Sequence, residues 1–450
     1  MKDVELINKS NGILPSKSQL EFTELEFLAF IHFGMNTFTN SETGTGREPE
    51  KYFNPPEIDA AQWVSAVKSA GMKGLILTCK YSDGFCLWPS EYTSHSVKNS
   101  PWLDGQGDVV KLVSDECRAQ GIKFGIYVSP YDMHEKTFGT DDYNTFFVNQ
   151  LRELLSNYGD IFCVWFPRDD KTGFHYDWAR YYQTVRELQS DAVICGCGPD
   201  FRWVGNSGAI SRKEEWSVVS YELLNNAPLK KLVEPDLGSR KRIKKAKELV
   251  WLPPVTAASI RPGWFFHKDE DINLKMLSKI LSIYFHSVGN NGTMVLNIPP
   301  SHTGQIDQKD IDSLVTLGAQ MKVEFKTDFA KDGTFEATNR RDELHSEKMI
   351  NFDKGYWHSG STDGGVSITL DMGEVRFINK IVLGENTATG QQIEKFRLYY
   401  FFDGKWKKIY SGGTVGYKKI CCLEPMNARR IRLDIIKTRG FATIKTFSVY

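Results

Sequence analysis

No apolar run in the 450 residues reaches the ~18 that a membrane helix requires, so no transmembrane span is predicted. The opening Met1-Lys2-Asp3-Val4-Glu5 has no apolar core of an export signal. The expected compartment is periplasmic or extracellular if such a signal has been removed, and cytoplasmic otherwise. Excess charge of either sign is also missing. Lys+Arg and Asp+Glu both total 56, which argues against long-range steering by nucleic acid or a membrane surface. The cysteines at 79, 86, 117, 163, 195, 197, 421 and 422 form no Cys-x-x-Cys pair, and several sit in apolar runs. Buried free thiols are expected, not a zinc site or a disulfide framework. His134, His175 and His267 lack metal-ligand spacing, so neither metal nor cofactor is expected. No Gly-x-Gly-x-x-Gly follows the first strand-like run, which counts against a dinucleotide fold.

What is present is an alternation of strand, loop and helix. Apolar strand-like runs occupy 27–35, 74–80, 124–130, 161–167, 192–199, 215–220, 249–253 and 293–299. Between them lie helical stripes such as Trp63, Val67 and Ala70, or Val109, Leu112, Val113 and Cys117. Gly71, Gly121 and Gly159 each stand where a helix should end before the next strand. Eight strands alternating with helices predict an α/β fold of the (β/α)8 TIM-barrel class over residues 1–325. The basic stretch Arg240–Lys247 reads as a solvated surface between two barrel strands.

Past about Phe325 the period changes to two. The segments 366–372, 378–383, 395–402 and 430–436 largely alternate apolar and polar residues, with turns at Asp403-Gly404 and Gly412-Gly413. Residues 326–450 are therefore predicted to form an all-β sandwich. Aromatic residues make up 13% of the chain, eleven of them Trp. Their faces suit sugar rings as well as a core. Trp357, Trp406 and Tyr356 are compatible with either use.

In a (β/α)8 barrel, functional groups stand at the C-terminal strand ends. In order these read His32-Phe33-Gly34, Lys80 to Ser90, Ser129-Pro130-Tyr131-Asp132, Trp165-Phe166-Pro167, Gly198 to Asn206 and Ser259 to Phe265. Together with Leu296-Asn297-Ile298-Pro299-Pro300, they resemble the retaining alpha-L-fucosidase family of glycoside hydrolases, in the branch with the Arg-Trp-Val-Gly-Asn motif (202–206). The resemblance runs over nearly the whole chain and includes a discoidin-like sandwich behind the barrel. It implies hydrolysis of terminal alpha-L-fucosyl groups without a cofactor, and a glycan or small sugar as partner. By resemblance His32, Lys80, Tyr81, Trp88, Trp165, Arg202, Trp203 and Trp264 are the candidate sugar-binding residues.

The two catalytic positions depart from the pattern. The resemblance puts the nucleophilic Asp where Pro167 stands and the acid/base Glu where Ser207 stands. The paired histidines after Lys80 are replaced by Tyr81 and Ser82. A retaining glycosidase needs two carboxyl groups roughly 5–5.5 Å apart, and neither proline nor serine supplies one. Fucosidase activity is therefore expected to be absent or very weak. The alternatives are an active exo-glycosidase with relocated carboxylates, for which Asp169 and Asp170 are candidates, and a non-catalytic glycan-binding protein. Asp83 is expected to serve structure, while Asp200 and Glu222 are lesser carboxylate candidates.

Overall fold

The computed structural model describes residues 9–450 except 168–172, 205–208, 224–234, 271–273 and 363. Eight parallel strands close into a barrel: β1 (Phe27–Ile31), β2 (Gly74–Lys80), β3 (Lys123–Val128), β4 (Cys163–Phe166), β5 (Val193–Gly196), β6 (Phe201–Trp203), β9 (Pro254–Ser259) and β10 (Thr293–Asn297). Aspartates start several of the surrounding helices. Asp59, Asp108 and Asp177 each accept a backbone N–H from the first turn of the helix that follows. Gly71, Gly121 and Gly159 adopt positive φ (82°, 71° and 77°), the left-handed turn that releases each chain toward its next strand.

The sixth and seventh barrel strands are not the runs expected from hydrophobicity. The apolar stretches near 218 and 250 form instead an antiparallel ribbon outside the barrel, β7 (Val218–Ser220) with β8 (Leu249–Trp251). These strands bury their side chains in two small clusters of their own, around Ile243 and Leu237. The true sixth strand is the short Phe201-Arg202-Trp203, too short and too mixed to register as periodic. The seventh is Pro254–Ser259, whose lack of charge follows from complete enclosure in the barrel wall.

Arg202 shows why β6 holds. Phe201 joins the barrel interior, whereas the Arg202 side chain leaves it. The guanidinium donates to Glu215 (2.7 Å), Asp236 (3.0 Å) and the carbonyl of Trp216 (3.0 Å), with Nε on the carbonyl of Leu252 (3.1 Å). All three charged groups are buried. Burial opposes ionisation of both acids. The guanidinium outweighs it at Glu215, whose pKa falls below the carboxylate range, while Asp236 is pushed up to about 7.

The helix Gln308–Glu324 ends the barrel portion, and a second core begins at Ala330. Its main sheet has the order β11 (Thr334–Ala337), β13 (Val366–Gly384), β16 (Lys419–Thr438), β14 (Ile393–Phe402) and β15 (Lys405–Gly412), with β18 (Thr446–Val449) also on β13, and β12 (Trp357–His358) pairs separately with β17 (Thr443–Ile444). The expected strands 366–372 and 378–383 are one long strand with register shifts. Asp403-Gly404, both at positive φ, make the tight β14–β15 hairpin. Trp357 is fully buried in this core with its indole N–H on the carbonyl of Asn339 (3.0 Å).

The sandwich docks on the segment that holds Arg202. Gln391 donates to the carbonyl of Glu215 (3.0 Å) and accepts from the N–H of Ser217 (2.8 Å). Arg439 lies 3.3 Å over the Trp216 ring and bonds Glu394 and the carbonyl of Gly238. Arg240 reaches the same Glu394 (2.7 Å), so the basic stretch is partly a docking element and not wholly a solvated surface. On the other side Lys418 and Tyr284 converge on Glu26.

Replacing Arg202 with Ala removes the cation that Glu215 and Asp236 share, and leaves Glu215 only the longer contact with Arg212 (3.4 Å). The unfolding free energy from urea titration is expected to fall by ~3–5 kcal/mol, the cost of breaking a buried ion pair. A change under ~1 kcal/mol would show that the cluster does not hold β6.

Candidate functional site

The C-terminal ends of the strands build an aromatic funnel. His32 follows β1, Tyr81 follows β2, Tyr127 lies in β3, Trp165 in β4, Trp203 ends β6, and Trp264 follows β9. His32 is at the centre. Its ring meets Tyr127 (5.3 Å between centroids), Trp264 (5.2 Å), Phe265 (5.6 Å) and Tyr81 (5.9 Å). Tyr81 stacks on Tyr127, and Trp165 meets Phe30 edge-on below (4.9 Å). Trp203 packs against the same barrel-interior cluster, and its buried indole N–H has no hydrogen-bond partner among the described residues.

Two glycines allow the close approaches. A Cβ on Gly196 (φ +76°) would meet the Phe166 carbonyl at 2.1 Å and the Trp165 indole nitrogen at 3.1 Å. One on Gly263 would lie 2.3 Å from a Glu42 carboxylate oxygen. Glu42 accepts the N–H groups of Trp264 (3.0 Å) and Phe265 (3.2 Å) and a ring nitrogen of His267 (2.7 Å). It ties the loop after β1 to the loop after β9, across the mouth.

The protonation of His32 follows from its partner. Asn297 donates through Nδ2 to the carbonyl of Trp264 (2.8 Å) and to Ser259 (2.9 Å), which leaves Oδ1 to accept from His32 Nδ1 (2.7 Å). Burial lowers the His32 pKa to about 4, with the Asn297 bond and nearby Glu42 only partly opposing it. The ring is thus neutral at ordinary pH. Nδ1 carries the proton, and Nε2 remains an acceptor with no protein partner among the described residues. Tyr81, buried near Glu42 and Asp83, has its phenol pKa pushed up to about 12, so it too stays neutral.

Three expected sugar ligands lie elsewhere. The Lys80 ammonium is wholly buried between Asp132 (2.9 Å) and Gln150 (2.8 Å), in the layer between barrel and helices. The irregularity between Thr78 and Lys80 explains it: Ile76 faces inward and Leu77 and Cys79 outward, and the shift in register then turns Lys80 outward and leaves Tyr81 on the inward side. Trp88 is buried in that outer layer with its indole N–H on Glu153 (2.8 Å). Arg202 is taken by Glu215 and Asp236. In this structure all three side chains are engaged by scaffold partners and not turned into the funnel. His32, Tyr81, Trp165, Trp203 and Trp264 are brought together.

The carboxylates sort similarly. Asp83 accepts the N–H of Phe85 (2.7 Å), and burial pushes it up to about 7. Asp200 holds Arg186 and the N–H of Ile194. Glu222 caps the ribbon through Ser220 and the N–H groups of Lys247 and Glu248. Pro167 directly follows β4. Ser207, Asp169 and Asp170 lie outside the described residues. Glu42, Tyr127, Phe265 and Asn297 escaped the sequence reading as site residues. Glu42 sits in a polar loop without periodicity, and its role comes from a contact 222 residues away.

Comparison with known proteins decides the family. The alpha-L-fucosidase family model matches residues 33–326. This chain belongs to the alpha-L-fucosidase family. An F5/8 type C domain model matches residues 309–447. Alpha-L-fucosidase 1 of Arabidopsis thaliana is 34% identical over 97% of this chain and 87% of its own length. The solved structure of SpGH29 superposes with a TM-score of 0.91 at 33% identity, covering 98% of both chains. A Ruminococcus gnavus GH29 fucosidase in complex with fucose gives 0.88 at 28% identity, over 97% of this chain and 95% of that one. The barrel and discoidin-like sandwich are thus the family's architecture. Among the described residues, no helix is long and apolar enough to cross a membrane.

A pH series tests the state of His32. Its folded pKa of about 4 lies below the unbound value of 6.5, so on acidification the unfolded chain takes the proton first. Stability present above pH ~6.5 is lost as pH falls toward ~4, by on the order of 3 kcal/mol. A His32→Gln variant should lack this part of the slope. An NMR midpoint near 6.5 for the His32 ring would contradict the assignment.

Proposed function

We propose that the barrel mouth of this family member binds a terminal alpha-L-fucosyl group or a related sugar, and that hydrolysis of that sugar is absent or very weak. The observation that carries the second half is Pro167 at the end of β4, the position from which the resemblance expects the nucleophile. A side chain without a proton or lone pair cannot attack the anomeric carbon or hold charge beside it. Ser207 at the acid/base position removes the second carboxyl by sequence alone. The described carboxylates near the strand ends are already engaged. Asp132 holds Lys80, Glu215 and Asp236 hold Arg202, and Glu42 holds two backbone N–H groups.

The binding half rests on the funnel. Trp264, Trp165 and Tyr81 offer apolar faces to a sugar ring, while the unprotonated Nε2 of His32 accepts a hydroxyl proton. Each of these groups is neutral, so the site favours an uncharged monosaccharide unit. Tyr81 in place of a histidine gives one hydroxyl where the resemblance expects a ring nitrogen, which alters the pattern of sugar hydroxyls read.

The test pairs catalysis with binding. An aryl alpha-L-fucoside should show no turnover above buffer, whereas calorimetric titration with fucose should saturate. His32→Ala should weaken that binding by about tenfold, the loss of roughly one hydrogen bond in a buried site. Pro167→Asp with Ser207→Glu should raise turnover. Wild-type turnover near the enzyme median of ~10 s⁻¹ would overturn the reading, and would direct the search for a nucleophile to Asp169 and Asp170.

A further inference from the structure

The outward face of the sandwich sheet carries a feature that the barrel site does not use. Inward residues of β14 and β16, such as Phe396, Leu398, Ile431 and Leu433, make the core. Their alternating neighbours Tyr399, Phe401, Arg430 and Arg432 face the other way, with Trp406 opposite Phe401 and Lys408 opposite Tyr399 on β15. Cations and rings interleave there. The Arg430 guanidinium lies 3.7 Å from the Phe401 ring centre and 5.9 Å from that of Trp406. Arg432 lies 4.7 Å from Trp406 and 4.9 Å from Tyr399.

A guanidinium laid on a ring uses its face and leaves its in-plane N–H donors pointing outward, in the geometry that a carboxylate or sulfate accepts. The rings also hold both side chains in place, which reduces the entropy lost when an anion binds. Arg430 has no ion pair among the described residues, while Arg432 has Asp434 at 2.9 Å. Asp371 opposite Arg430 is engaged by Arg429. Exposed Lys408, opposite Tyr399, adds a third cation to this face, whereas Lys405 and Lys407 alternate to the other side. Arg430 and Arg432, two residues apart on one strand, are spaced by ~7 Å. The chain as a whole is neutral, so this surface concentrates cations against the average.

We propose that this face is a second binding surface, for a polysaccharide strand bearing fixed sulfate or carboxylate groups. Its charge is complementary to such a strand, and the half-exposed edges of Trp406 and Phe401 give the sugar rings between the anions an apolar seat. The surface is independent of the barrel mouth and holds its ligand whether or not the barrel hydrolyses anything.

The test uses the full chain in affinity electrophoresis and calorimetry with dextran sulfate, polygalacturonate and unsubstituted dextran. Dextran sulfate or polygalacturonate should bind, in a salt-dependent way, and unsubstituted dextran should not. The pair tells whether sulfate or carboxylate is preferred. The double variant R430Q/K408Q should weaken anionic-polysaccharide binding by about tenfold or more, through loss of two ionic contacts. A control, K241Q/K245Q, removes charge from the other basic stretch and should leave binding unchanged. R430K keeps the charge and loses the planar fork, so it should fall between wild type and R430Q. Near-ultraviolet circular dichroism and fucose binding report whether each variant keeps its fold. No binding of either anionic polymer, equal binding of single-stranded DNA, or binding lost in the control and kept in R430Q/K408Q would each overturn the proposal.

Discussion

The buried pairing of Arg202 with Glu215 and Asp236 is the contact on which the geometry of the site depends. β6 has only three residues, too few to fix its own direction through ladder hydrogen bonds. The guanidinium fastens it from outside to a segment of ribbon and loop, and the sandwich clamps that same segment through Gln391 and Arg439. A buried ion cluster is a poor source of net stability, since desolvation offsets most of the attraction. Its value is directional, because the bonds from Nη2 and Nε to groups on three sides fix the guanidinium and set where Trp203 enters the funnel.

Inside the funnel the chemistry is that of neutral groups. His32 is kept uncharged by burial and pinned in one tautomer by Asn297, and Asn297 is fixed in turn by Ser259 and the Trp264 carbonyl. Glu42 closes the ring of contacts by holding the backbone around Trp264. Such a chain of fixed partners favours recognition, since a polar group already oriented loses little freedom when a hydroxyl arrives. Covalent glycoside cleavage needs something else, two carboxyls flanking one bond. The funnel supplies the first kind of order, and the proposed lack of hydrolysis concerns the second.

Much of this was legible in the residues. Hydrophobic alternation and helix-ending glycines indicated the barrel, and the period-two segments indicated the sandwich. The errors came where tertiary contacts overrode pattern. The runs near 218 and 250 are apolar enough to be barrel strands, but they pack on Ile243 and Leu237 outside it. Phe201-Arg202-Trp203 is a wall strand that looks like a loop, because a charged residue in it finds partners 13 and 34 positions away. At the site, aromatic residues at strand ends were recognisable, yet Lys80 and Trp88 show that a motif position does not reveal which side of the wall a side chain takes. Glu42 carries no periodic signal, and only the folded chain brings it to Trp264.

The docking of the sandwich has a consequence for how the chain can be divided. Linked domains are often exchanged between proteins as interchangeable cassettes. Here the cut would expose the face of Trp216, strip the carbonyl of Glu215 and the N–H of Ser217 of their partner Gln391, and leave Glu26 without Lys418. The barrel's sixth strand and its mouth would lose their outer brace at once. Modularity stops at this seam, and the two halves are committed to inheriting each other's changes.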